Sequence, residues 1–275
     1  MPLAELAAYL GIGAIVGFFA GLLGIGGGLI IVSSLALMFS AQGYPPQYVM
    51  HLAIGTSLAA IMAGAWSSFR THHRHKAVDW PIVRRMTPGL LVGVLAGVSL
   101  ARFAPTAFLK YFFLGFMAFM TAQMALNLRP TPARELPGPA GLGAVAVFIG
   151  AISSLFGGGA AAIGVPFLTW CNVNTHRAIG TCAALGFPVA IAGALGYIVA
   201  GWQVVGLPAW SLGFVYLPAF LGISATSVLA APWGARLAHK LKGATLRRIF
   251  AIFLIAMGAK VAISVWRATR RTSGA

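Results

Sequence analysis

The chain has 275 residues, 59% of them hydrophobic and only 8% charged, with 19 Lys and Arg against 3 Asp and Glu for a net charge of +16. A soluble domain carries about 25% charged residues, so this composition excludes a water-soluble globule and points to a bilayer. The positive charge is gathered in short loops between apolar runs, which reads as membrane topology rather than a nucleic-acid footprint.

Eight apolar stretches follow one another, at roughly 6–39, 49–70, 86–103, 108–128, 139–170, 177–200, 210–233 and 247–266. Most have about 18–24 residues, enough for a helix across about 30 Å of hydrocarbon. The first and fifth are longer, and glycines interrupt both: Gly24-Ile25-Gly26-Gly27-Gly28 and Gly157-Gly158-Gly159. Each is therefore expected to form two pieces joined by a turn or unwound segment. The first break is followed by His51-Leu52-Ala53-Ile54-Gly55-Thr56-Ser57, which returns 125 residues later as His176-Arg177-Ala178-Ile179-Gly180-Thr181-Cys182.

The repeat predicts an all-α polytopic membrane protein of two homologous halves, each a glycine-broken hairpin plus three transmembrane helices, with eight to ten helices in all. The N-terminal repeat covers 1–128 and the C-terminal repeat 139–266. A stiff linker at 129–138 contains Arg129-Pro130-Thr131-Pro132 and Pro137-Gly138-Pro139, and a short basic tail occupies 267–275. Asp79 is placed to N-cap a helix opening at Trp80-Pro81. Trp66, Trp80, Trp202, Trp210 and Trp266 fall near segment ends, as interfacial aromatics do. The opening Met1-Pro2-Leu3-Ala4-Glu5 lacks the basic region of a cleavable signal, so the first run is expected to stay in the membrane.

Charge placement orients the halves. If both broken segments return to the side they entered, one face collects Arg70, Arg74, Lys76, Arg84, Arg85, Arg129, Arg134, Arg177, Arg236, Lys240, Lys242, Arg247 and Arg248. Arg102, Lys110, Arg267, Arg270 and Arg271 lie on the other, and Lys260 lies inside the last segment. Single crossings throughout would divide the charges almost evenly. The positive-inside bias favours the hairpins, hence inverted repeats, with the basic tail on the unfavoured side.

The only acids, Glu5, Asp79 and Glu135, all sit at segment ends. No carboxylate is available at mid-membrane depth as a cation ligand or proton relay, which leaves a small anion as the expected guest. Glycine breaks can free backbone N–H groups at the start of a half-helix, where an anion is favoured; close packing through small residues is the alternative. The candidate substrate-binding residues are Gly24, Gly26, Gly27, Gly28, Gly157, Gly158 and Gly159, with Thr56, Ser57, Thr181 and Cys182 from the repeated motif. Their hydroxyls could instead bond back to carbonyls one turn earlier. His51 and His176 either cap their helices at the interface or handle protons.

Gln123 and Lys260 occupy equivalent places in the last helix of each half, and Lys260 either handles protons or anions or snorkels to the interface. The run Arg70-Thr71-His72-His73-Arg74-His75-Lys76 reads as a topology anchor. No metal, cofactor or disulfide framework is expected from Cys171, Cys182 and the histidines. No Gly-x-Ser-x-Gly elbow or positioned base supports an enzyme. Matched broken segments in two halves point to a transporter with its site between them; an anion channel and a non-transporting accessory protein are the rival readings. The expected partners are the small anionic substrate and the lipid bilayer, with room for a homodimer and no nucleic acid.

These residues resemble the TauE/SafE family, the sulfite and organosulfonate exporter group. The likeness is carried by Gly24 to Gly28, His51 to Ser57, the basic run ending in Val78-Asp79-Trp80, and Pro88-Gly89. In the second half it is carried by Val165-Pro166, Ala178 to Cys182, Gly193-Ala194-Leu195-Gly196-Tyr197 and Gly201-Trp202. The chain departs from the family pattern at Val32-Ser33, where Val-Pro is usual, and at Ala160-Ala161, where glycines are usual. The resemblance implies a multi-pass protein of the bacterial inner membrane that moves small sulfur-containing anions outward.

Overall fold

The computed structural model describes residues 3–23, 27–125 and 134–238, together with positions 252 and 255. Five helices of the first half are α1 (Leu3–Leu23), α2 (Gly28–Ala41), α3 (Val49–Arg74), α4 (Trp80–Phe103) and α5 (Thr106–Ala125). Four of the second are α6 (Pro139–Phe156), α7 (Ala161–Trp170), α8 (Thr175–Gly201) and α9 (Leu217–Ala238). Four of these, α3, α4, α6 and α8, are long and apolar enough to cross a membrane.

The apolar stretch at 210–233 is not helical from its start. Two short strands, β1 (Ser211–Leu212) and β2 (Val215–Tyr216), pair antiparallel with Ser211 opposite Tyr216, and α9 begins only at Leu217. Gly213 at φ 56 makes the reversal between them. Hydropathy alone cannot distinguish this apolar turn from a helix. The stretch at 247–266 lies outside the described residues except at 252 and 255.

Helix ends follow their local chemistry. Asp79 is extended and its carboxylate accepts from the Ile82 N–H at 3.4 Å, with Pro81 in the first turn, as the sequence predicts. Asn174 caps α8 by accepting from the His176 N–H at 3.0 Å. Gly157 ends α6 at φ 74, and Gly27 precedes α2 at φ 51, both in the left-handed region that favours glycine.

The short helices α2 and α7 end in the same Schellman turn. Gly43 (φ 72) and Asn172 (φ 66) are its left-handed residues. The Tyr44 N–H reaches Phe39 O and the Val173 N–H reaches Leu168 O, both at 3.0 Å. These bonds make Tyr44 and Val173 structural counterparts.

Between halves, α1 packs along α9 and α4 along α6. Small residues let the backbones touch. A Cβ at Gly93 would lie 2.0 Å from Val147 O, and one at Gly17 would lie 2.2 Å from Ser227 O. The four-residue spacing of Gly89, Gly93 and Gly97 is the membrane small-residue seam. At the centre α3 packs against α8. Every residue of α3 from Val49 to Ile61 is buried, as expected of a helix that is apolar all round and enclosed by others.

Candidate substrate site

The two glycine breaks, far apart in sequence, meet. A Cβ at Gly28 would lie 2.6 Å from Gly157 O and 2.7 Å from Gly158 Cα. A Cβ at Gly157 would meet Val32 Cγ2 at 2.6 Å. Only glycine allows this approach. Ser57, fully buried on α3, donates its hydroxyl to Gly157 O at 2.8 Å and lies 3.4 Å from Gly28 O. One side chain thus touches both breaks, in opposite halves.

The half-helices α2 and α7 both start here without a side-chain cap, behind Gly27 and Ala160. The first N–H groups of a helix have no intrahelical partner and carry its positive end. Ser153 lies one turn before Gly157 on α6; the residue is 1% exposed and its hydroxyl has no hydrogen-bond partner. A buried polar group left unpaired is costly, and such a group calls for an explanation. Gly159 faces Gly186 of α8, 4.0 Å from where its Cβ would be. Gly186 is buried, yet a Cβ there would meet nothing within 4 Å. There is room for a small group beside the second break.

The repeated threonines lie elsewhere, in matching roles. Thr56 Oγ1 accepts from the Tyr216 N–H at 2.9 Å, and Thr181 Oγ1 accepts from the Asp79 N–H at 3.0 Å. Each threonine therefore pins the backbone just before a long helix of the other half, α9 or α4. The adjacent glycines make the pins fit. A Cβ at Gly55 would lie 2.4 Å from Phe214 O, and one at Gly180 would lie 2.4 Å from Ala77 O. Back-bonding one turn earlier is the fate of Ser33, Ser40, Thr87 and Thr169 instead.

Cys182, the counterpart of Ser57, is fully buried with its Sγ 2.8 Å from where a Gly164 Cβ would be. His51 is buried, 2.9 Å from Ala101 O through Nε2 and 3.4 Å from Thr106 Oγ1 through Nδ1, with its ring 5.0 Å from that of Phe214. His176 is exposed. The structure thus brings Gly27, Gly28, Ser57, Gly157 and Gly158 together and places Thr56, Thr181, His51 and His176 apart from them. Gly24, Gly26 and Lys260 lie outside the described residues.

The family description "Sulfite exporter TauE/SafE" matches residues 9–261. The chain belongs to this family. It is 36% identical over 253 residues to a probable membrane transporter protein of Haemophilus influenzae, covering 89% of this chain and 93% of the relative. A probable membrane transporter protein of Methanocaldococcus jannaschii is 25% identical over 253 residues (90% and 91% covered). One of Xylella fastidiosa is 28% identical over 279 residues (97% of each). No solved structure matches the chain. This TauE/SafE protein is a multi-pass membrane protein of a transporter family, with helices apolar enough to span a bilayer.

Sequence reasoning missed Ser153 and its neighbour Ser154. Ser154 donates to Ala151 O at 2.8 Å, and its carbonyl accepts from the buried Tyr197 hydroxyl at 3.1 Å. The signal was two adjacent serines in the last turn before a glycine break, in an otherwise apolar helix. The cross-half partners Tyr216 and Asp79 carried no such signal.

Proposed function

We propose that this protein exports a small sulfur-containing anion, sulfite or a short organosulfonate, across the bacterial inner membrane. The substrate would bind near mid-depth between two inverted halves, at the N-terminal ends of α2 and α7 and beside the unpaired Ser153 hydroxyl. Ser57, bonded across the glycine breaks of both halves, is the observation that carries this reading. A contact that one half makes with the other at a helix break is where rocking of the halves would open and close a site. Donors fixed on backbone and hydroxyl suit an anion, and no described carboxylate competes there. The protein's work is transport rather than catalysis.

Purified protein in liposomes tests it. Labelled sulfite on one side should be driven across by unlabelled sulfite on the other, since a carrier with alternating access exchanges substrate. Currents that rise without saturation as anion is added would instead mean a channel. Absence of sulfite and sulfonate flux under every pH gradient would sink the reading.

A further inference from the structure

Two places in the fold share the same backbone bonds and are filled differently. At one of them, Tyr44 and Tyr216 pack with ring centroids 5.6 Å apart, and Tyr216 also meets Phe39 at 5.7 Å and Tyr9 at 6.1 Å. The Tyr9 hydroxyl and the Gln42 side-chain amide lie 3.2 Å apart beside them. Burial raises the Tyr44 phenol above its ordinary value. The counterpart of Tyr44 is Val173, through the shared Schellman turn, and that of Tyr216 is Asp79, through the shared threonine pin. Between Val173 and Asp79 there is an open cleft of about 510 Å³, also lined by Asn172, Asn174 and Arg177.

We propose that this cleft is a docking vestibule for a small water-borne oxyanion, held by Arg177 with the Asn172 and Asn174 amides. It deepens the anion-transport reading and rests on it for its purpose. Arg177 is exposed, so its guanidinium is free to turn to a guest. A second cation stands beside the same turn: the Arg134 guanidinium lies over the Trp170 ring at 5.0 Å, and the Arg134 backbone N–H donates to Trp170 O. The one acid on the wall, Asp79, turns a carboxylate oxygen toward the start of its own helix. A tyrosine side chain in place of Val173 would set a phenol at the position equivalent to Tyr44, on the wall of the cleft.

The test uses Val173→Cys in the full chain, purified in neutral detergent. The native Cys171 is 3% exposed and burial pushes its thiol up, and Cys182 is fully buried, so the background is low. An anionic sulfonatoethyl methanethiosulfonate should modify the introduced thiol about fivefold faster, relative to a trimethylammonium reagent, than it modifies free cysteine. Arg177→Gln should abolish that preference, and millimolar methanesulfonate should slow the reaction. Equal rates, a preference for the cation, or no effect of Arg177→Gln would overturn the vestibule. Slowing by anionic lipid but not by methanesulfonate would overturn the water-borne guest.

Flux separates this proposal from the one it rests on. Val173→Tyr should raise the KM for sulfite at least about tenfold while saturated flux changes little; the vestibule fails if KM stays put in an active protein. Selective labelling in a protein that carries no flux upholds the vestibule and defeats the transport reading.

Discussion

His51–Ser57 and His176–Cys182 are copies of one motif, and the positions they share and those they do not have different work. Gly55 with Thr56, and Gly180 with Thr181, do the same thing in each copy: glycine admits the incoming backbone and threonine accepts its N–H. Within the motif the copies differ at two places, Leu52 against Arg177 and Ser57 against Cys182. Leu52 is fully buried whereas Arg177 lines an open cleft. Ser57 bonds across the glycine breaks whereas Cys182 packs against Gly164. The shared residues bind neighbouring backbone in the same way, and the divergent ones give the two copies unlike surroundings. In the proposed transporter both would serve, since halves that exchange roles must match in backbone while the substrate meets different surfaces.

The comparison breaks most sharply at Leu52. Leu52→Arg places a charge in the packed centre of α3, at a cost of about 2.5–3.5 kcal/mol on the insertion scale. The variant should fail to accumulate in membranes, while Arg177→Leu should accumulate normally; immunoblots of membrane fractions decide this. A smaller difference is expected at the histidines. His51→Ala removes a buried ring and its bond to Ala101 O, and should cost about 2 kcal/mol by thermal unfolding in detergent. His176→Ala, on the exposed copy, should stay within about 0.5 kcal/mol of wild type.

Ser57→Ala should cost about 1 kcal/mol and slow sulfite flux, because Gly157 O loses its cross-half donor. Cys182→Ser should leave flux closer to wild type. The smallest and most exacting test concerns the threonines. Thr56→Val and Thr181→Val should each cost about 0.6 kcal/mol, the typical value for a hydrogen bond in a membrane bundle. Unequal losses would show that the two pins do not share a role.

Much of this was legible in the chain. Periodic apolar length located α3, α4, α6 and α8; glycine runs located the breaks; and Asp79 announced the cap it makes. The repeat identified Thr56 and Thr181 but not their role. Their partners lie 160 and 102 residues away, on backbone N–H groups that every residue type supplies alike. The turn at Ser211–Tyr216 was hidden because its residues are as apolar as a helix start. Ser153 was hidden because a serine in an apolar helix ordinarily bonds to its own backbone, as Ser154 does. The polar cleft at Arg177 was hidden behind the charge count, where an arginine at a helix mouth serves as a topology signal.

The meeting of the two glycine breaks is proposed as the working part of the transporter. The most direct measurement is sulfite exchange in liposomes by wild type and by Gly28→Ala, whose methyl group would press on Gly157 O. Wild type should exchange sulfite, and a Gly28→Ala protein that still inserts and unfolds cooperatively should not. Wild-type exchange by that variant would contradict the proposal.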